Sequence, residues 1–384
     1  MIEIPFARPY LSGRESEAVA EVIASGWISQ GPRVQEFEAA FARRVGAADA
    51  VATTSCTTAL HLALHGAGVR PGDEVIVPSL SFIATANAVW MCGARPVFAD
   101  IDPRTCNLDP QAVERAITPC TKAIMPVHQV GLPCDMDAML QIAAAHELAI
   151  VQDAACAIGA TYKGRQVGSI GPVSCFSLHP RKVITTGEGG MIALTDPDAG
   201  QRLRALRQHA MSISDLARHS TSEVVLESYP ERGFNYRMTD MQAALGLSQL
   251  EALEHVLERR RLLAERYSSA LAEIPHLQTP WEPPYAMRTW QSYSVRLSPQ
   301  APFGRNELMR LLLADGIPTR RGVMAIHLER AYCDPAVRLP HTEAAARQML
   351  MLPLFADLTF EQQDRVIERL AAHLGAKAAQ WTAS

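Results

Sequence analysis

Short apolar runs alternate with longer amphipathic stretches between residues 50 and 151. The runs at 50–52, 74–77, 96–99, 123–127 and 148–151 predict buried strands, and the stretches 57–67, 83–91, 109–117 and 136–146 predict helices. Two more helical stretches, 14–25 and 34–45, come first, separated by a polar, glycine-punctuated loop at 25–32. Strands alternating with helices predict βαβ units: an α/β fold whose mostly parallel central sheet is covered by helices. Right-handed crossovers would set the C-terminal end of every strand on one edge, where open α/β sheets bind ligands.

The pattern then changes. Apolar runs at 173–178 and 191–194 predict two strands around a polar loop that carries Lys182 and closes on Gly187, Gly189 and Gly190. Past residue 195 the alternation stops. A charged helix is predicted at 197–211, a polar connector at 212–230, a donor-rich turn at 233–240 and one long helix at 241–274, stopped by Pro275. Residues 281–284 (Trp-Glu-Pro-Pro) read as a hinge, 291–297 as a half-buried strand and 305–314 as an amphipathic helix, with two helices after it. The expected division is a large α/β domain over 13–245 and a smaller C-terminal α+β domain over 246–384. Residues 1–12 are expected to pack with the latter or to cover the site.

Composition narrows the function. The chain has 384 residues and a net charge of −4, with both signs spread throughout, which argues against a nucleic-acid footprint. No stretch approaches the roughly 18 apolar residues of a spanning helix, and the N-terminus lacks the basic and apolar regions of a signal peptide. A cytoplasmic protein without membrane contact is expected. The eight cysteines form no Cys-x-x-Cys pair and have no His pair at ligand spacing, so reduced thiols and no metal site are expected.

Candidate chemistry concentrates on the predicted ligand edge. Lys182 lies in a loop shielded from water, which favours its neutral amine. Bringing its pKa from about 10.4 to near 7 takes roughly 4 kcal/mol of differential stabilisation. A neutral amine can form a Schiff base, although a surface lysine in a glycine-rich hairpin is the alternative. The glycines either let backbone pass close to a flat ligand or supply positive φ. The run Thr-Thr-Ser-Cys-Thr-Thr at 53–58 starts a helix whose free amides suit a phosphate, or is simple capping. Phe82, at a strand-to-helix turn, either stacks on a planar ring or belongs to the core. Asp153 ends an apolar strand, where a carboxylate needs a partner or serves as a helix cap. A Schiff-base lysine, a strand-end carboxylate, a phosphate-ready helix start and a stacking aromatic are the parts of a pyridoxal phosphate site.

The sequence also resembles a known family, the sugar aminotransferases grouped with the DegT/DnrJ/StrS proteins, nearly end to end. The resemblance runs through Ser-Gly-Trp-Ile-Ser-Gln-Gly-Pro at 25–32, Pro-Ser-Leu-Ser-Phe-Ile-Ala-Thr at 78–85, Phe-Ala-Asp-Ile-Asp-Pro at 98–103 and Asp-Ala-Ala at 153–155. It continues through Gly-Ala-Thr-Tyr-Lys-Gly at 159–164, Ser-Leu-His-Pro-Arg-Lys at 177–182, Thr-Thr-Gly-Glu-Gly-Gly at 185–190 and Gly-Phe-Asn-Tyr-Arg-Met at 233–238. It implies a type I pyridoxal phosphate-dependent transferase fold and a homodimer with shared active sites. It further implies that Lys182 holds the cofactor covalently and Asp153 pairs with its ring nitrogen. Ser177 and the amides of Cys56 and Thr57 would take the phosphate, Phe82 would stack on the ring, and Asn235 would reach the neighbouring subunit's phosphate. Two positions depart from the family's pattern. Cys56 stands where glycine is usual, and Cys156 stands where glutamine or histidine would lie near the ring hydroxyl.

The implied activity is transfer of an amino group from an amino acid, L-glutamate, to a keto-sugar linked to a nucleotide. Candidate substrate contacts are Ser29, His128, Arg237, Arg320, Arg321 and His327; paired arginines can grip a carboxylate or diphosphate bidentately. The alternatives are a cyclitol ketone as acceptor and a regulatory protein that keeps the fold without turnover. Related sugar dehydratases carry histidine in place of the lysine, so Lys182 argues against that branch.

Overall fold

The computed structural model describes residues 4–213, 218 and 226–375. Most of the 212–230 connector, the first three residues and residues 376–384 lie outside the described residues. Helices α1 (Glu15–Ser25) and α2 (Pro32–Val45) lead into β1 (Asp49–Thr53), α3 (Cys56–Gly66), β2 (Glu74–Pro78), α4 (Ala84–Met91) and β3 (Arg95–Ala99). Next come α5 (Pro110–Ala116), β4 (Thr121–Ile124), α6 (Met136–Ala145), and β5 (Ala149–Ile150) with β6 (Gln152–Asp153), two halves of one strand. The short pair β7 (Thr161–Tyr162) and β8 (Arg165–Gln166) precedes β9 (Val173–Ser177), β10 (Gly190–Leu194) and α7 (Pro197–Arg207). Apart from β7 and β8, which no apolar run predicts, these strands and helices fall where the pattern places them, because strands covered on both faces must be apolar throughout. All five residues of β2 and of β10 are buried.

Two four-stranded ladders join through residues 149–153 into one sheet, in the order β1-β10-β9-β6/β5-β4-β2-β3. Every pairing is parallel except the two made by β10, which runs against both β1 and β9. The expectation that all C-terminal strand ends share one edge therefore fails for β10. The 178–189 loop returns the chain directly to the neighbouring position, and a direct return can only give an antiparallel pair, since parallel neighbours need a crossover. The reversal brings the start of β10 to the edge where β1, β2, β6 and β9 end.

The predicted helix over 241–274 is two helices, Asp240–Glu251 and Leu253–Leu271, with Ala252 between them. The first packs on α1 and α2. Leu253, Val256 and Leu257 of the second join the core beneath the sheet, whereas Leu263 onward join a separate apolar cluster. That cluster also takes Ile4 and residues from 290 to 374. It surrounds an antiparallel sheet in the order Leu277–Gln278, Tyr293–Leu297, Met349–Leu352, Arg320–Arg321. The segment read as a hinge is anchored rather than free. Arg104 lies over the Trp281 ring at 3.7 Å, and Ala286–Met287 pairs with β7. No helix among the described residues is long and apolar enough to cross a membrane. No cluster of His, Cys, Asp and Glu among them could hold a metal ion.

Candidate active site

Asp153 closes β6 at the middle of the sheet and is 5% exposed. Its amide donates to Pro126 O at 2.9 Å, which fixes the strand end. One carboxylate oxygen, Oδ2, accepts from Thr85 Oγ1 (2.8 Å), and Oδ1 accepts from Ala155 N (3.1 Å). Thr85 Oγ1 lies 2.7 Å from Ser81 Oγ, so the two hydroxyls form a relay ending on the carboxylate. Burial raises the Asp153 pKa, and the bonds from Thr85 and Ala155 and the charge of Lys182 only partly offset it. A buried carboxylate in this condition gains most from a cation brought against it. Ser81 and Thr85 are residues that sequence reasoning missed as functional. Their i,i+4 spacing at a helix start was the available signal. Thr85→Val keeps the shape and removes the donor, and is expected to lower stability by about 1–3 kcal/mol. A urea melt checks it; an unchanged midpoint would contradict the relay.

The chain contains four lysines, Lys122, Lys163, Lys182 and Lys377. Lys122 is exposed, and so is Lys163, which pairs with Asp137. Lys182 is half-buried in the 178–189 loop; its amide donates to His179 O at 2.8 Å and its Nζ donates to Cys156 Sγ at 3.1 Å. Burial disfavours the ammonium, as expected from sequence, but Cys156 and Asp153 outweigh it and the net pKa shift is upward. The neutral amine expected from shielding alone is thus corrected by what surrounds it. Lys182 and Asp153 are close enough for each to act on the other's titration.

Helix α3 starts one residue beyond Ser55, whose side chain accepts from Thr58 N in a capping box. The first two amides, those of Cys56 and Thr57, have no acceptor within the helix and face the same edge. Gly190 sits against this turn: a Cβ there would lie 2.4 Å from Ser55 C and O and 2.6 Å from Cys56 N. Its close approach is therefore to backbone, not to a flat ligand, while Gly187 does supply positive φ (+79°). The Cys56 thiol donates to Cys175 O at 3.6 Å, and burial pushes its pKa well up, so it stays neutral. Ser177 is half-buried at the end of β9. Phe82 is 60% exposed in the turn before α4, a position that leaves its ring free to stack.

The remaining candidates divide. Asn235 is exposed and accepts from Arg237 Nε through Oδ1 (3.1 Å), on a segment tied to the α3 turn by Thr54 N donating to Tyr236 O (3.0 Å). Ser29 is exposed on the 25–32 loop, and its carbonyl accepts from Asp240 N (2.9 Å). Arg320 and Arg321 are exposed on an edge strand, Arg320 over the Phe6 ring and Arg321 bonded to Glu329. Two histidines are buried. His128 is fully buried: Nδ1 accepts from Cys134 N (3.0 Å), which leaves Nε2 to donate to Gln152 Oε1 (3.1 Å). Nε2 braces the strand that ends at Asp153 and Nδ1 holds the turn at Cys134, and burial lowers the pKa to about 4. His327 is also fully buried, with Nδ1 2.6 Å from Ser79 Oγ and its own amide donating to that oxygen (3.0 Å). It docks the C-terminal part of the chain onto the end of β2.

A strand-end carboxylate, a half-buried amine and free helix-start amides meet at one sheet edge. The family model of the DegT/DnrJ/EryC1/StrS aminotransferases matches residues 9–371. The chain belongs to this family. It is 39% identical over 371 residues to the spore coat polysaccharide biosynthesis protein SpsC of Bacillus subtilis, covering 95% of each chain. It is 37% identical to S. venezuelae DesV, solved in complex with a ketimine intermediate, with a TM-score of 0.88 over 97% of this chain and 98% of that one. It is 29% identical to the sugar aminotransferase Spr1654 of Streptococcus pneumoniae. The PLP form gives a TM-score of 0.90 over 97% and 98% of the two chains, and the PMP form 0.92 over 97% and 99%. This DegT-family chain is a pyridoxal phosphate-dependent aminotransferase with the type I fold. Its residues fit the cofactor: the buried carboxylate lacks a full charge partner, an amine and a helix N-terminus lie near it, and the turn before α4 offers an exposed ring.

Proposed function

We propose that this enzyme transfers the amino group of L-glutamate to a nucleotide-linked keto-sugar, working as a homodimer with sites shared between copies. The observation that carries the chemistry is the approach of Lys182 and Asp153 at one sheet edge, with the Cys56 and Thr57 amides beside them. The sugar acceptor is supported by the relatives: one acts in polysaccharide biosynthesis by name, and another is described as a sugar aminotransferase.

Bound pyridoxal phosphate supplies an aldehyde for the donor's amine and a ring that takes up the electron pair left on carbon. The chain's own residues do the rest. The Cys56 and Thr57 amides and the Ser177 hydroxyl hold the phosphate, and the α3 dipole favours its charge. Phe82 covers the ring face, and Asn235 of a neighbouring copy reaches the phosphate. Asp153 keeps a proton on the ring nitrogen, oriented by Thr85 and the Ala155 amide. Lys182 Nζ would hold the cofactor between turnovers and, when free, would carry a proton from carbon to carbon as base and then acid. Among the substrate candidates, Ser29, Arg320 and Arg321 are exposed and Arg237 is half-buried.

The test is a panel of nucleotide-linked keto-sugars and cyclitol ketones offered with L-glutamate to the cofactor-loaded protein. An amine formed on a nucleotide-linked sugar, with 2-oxoglutarate released in equal amount, is expected. Amine formed only on cyclitols would overturn the acceptor assignment. Cofactor binding without any glutamate-dependent colour change would favour the regulatory reading.

A further inference from the structure

The residue facing the active-site amine is a cysteine. Lys182 Nζ lies 3.1 Å from Cys156 Sγ, and both residues are half-buried, within reach of a small solute. The backbone of Cys156 is held on two sides. Thr289 Oγ1 donates to its carbonyl at 2.8 Å, and Gly131 passes so close that a Cβ there would stand 2.8 Å from the same oxygen. The Cys156 backbone is thereby fixed in place beside the lysine loop. The other thiols near this amine are different: Cys56 and Cys175 are buried, and Cys56 Sγ is engaged with a backbone carbonyl.

We propose that Cys156 and Lys182 form a reversible, peroxide-driven sulfur–nitrogen cross-link that locks the enzyme against its cofactor. In the first step the sulfur attacks one peroxide oxygen and the O–O bond breaks. The thiol loses its proton, water leaves, and the sulfur is oxidised by two electrons to a sulfenic acid while the peroxide is reduced. The sulfenic sulfur is then an electrophile held against an amine. Nζ first gives its ammonium proton to solvent and then forms the S–N bond; the S–O bond breaks, and hydroxide leaves as water with a second proton from the nitrogen. The net change is thiol plus amine plus peroxide giving a sulfenamide and two waters. Two molecules of an external thiol reverse it, returning thiol and amine and leaving as a disulfide. While the link stands, Lys182 has no free amine for pyridoxal phosphate. The proposal rests on this geometry and holds whatever the acceptor substrate is.

The experiment treats the full-length protein, freed of cofactor, with graded hydrogen peroxide and reads tryptic peptides by mass spectrometry. The Cys156 and Lys182 peptides should appear joined, lighter by two hydrogens than their sum, and should separate again with dithiothreitol. Uptake of pyridoxal phosphate, followed by absorbance, should fall more than tenfold with the link and return with the thiol. Protein loaded with cofactor before peroxide should resist linking. Cys156→Ser should keep its cofactor uptake through the same treatment. Lys182→Arg should give Cys156 oxidised to sulfinic acid with no link. Wild-type Cys156 reaching sulfinic acid unlinked, pairing with Cys56 as a disulfide, or staying unmodified while the exposed Cys120 and Cys333 oxidise would each overturn the proposal.

Discussion

Lys182→Ala is expected to abolish turnover, by roughly 10³-fold or more, and to remove the visible absorption of covalently held cofactor. A positioned acid–base group alone is worth about 10²–10⁴ in rate, and here the same amine also anchors the cofactor. Among the described residues no other lysine can replace it, because Lys122 and Lys163 are exposed and Lys163 is engaged with Asp137. The fold should survive, since the Lys182 side chain makes one hydrogen bond, to Cys156, and the loop is held by backbone contacts. Circular dichroism checks the fold and absorbance checks the cofactor. Retained turnover without added amine would contradict the role of Lys182.

Asp153→Asn is expected to spare cofactor binding, within about tenfold, and to slow proton transfer by about 10²–10³-fold. A carboxylate about 4 Å from a cationic ring nitrogen is worth on the order of 4 kcal/mol at an effective dielectric near 20, roughly three pKa units. Asparagine keeps the shape and loses that charge. It also relieves a cost of the folded state, because burial holds the Asp153 pKa up. The sign is worked from the shift: with a folded pKa above the unfolded value, the unfolded chain binds fewer protons as pH rises between the two, so ionised Asp153 destabilises the cofactor-free fold above that window. Cofactor-free Asp153→Asn should therefore be no less stable than wild type at neutral pH. A single-turnover rate with glutamate checks the kinetic half, and an unchanged rate would count against the role of Asp153.

The sheet was legible because its strands are apolar on both faces, and the site was legible because its parts lie at strand ends along one edge. What could not be read depended on relations across the chain. An apolar run such as residues 190–194 looks the same whichever way it points, so the reversal of β10 was hidden. Gly190 was noticed for its lack of a side chain, but the backbone that needs that space belongs to Ser55, far away in sequence. His128 and His327 were singled out as chemistry-bearing side chains, and their burial against Gln152 and Ser79 emerges only from packing. Thr85 reaches Asp153 across a similar gap. Lys182 was expected to be neutral because of its shielding; its neighbours Cys156 and Asp153 reverse the direction.

The most direct measurement uses the scarcity of lysine in this chain. The purified protein is incubated with pyridoxal phosphate, reduced with borohydride to fix any imine as a stable secondary amine, digested and mapped by mass spectrometry. A single phosphopyridoxyl group on Lys182, absent when L-glutamate is added before reduction, is predicted. The label on Lys122, Lys163 or Lys377 instead, or no label at all, would contradict the site.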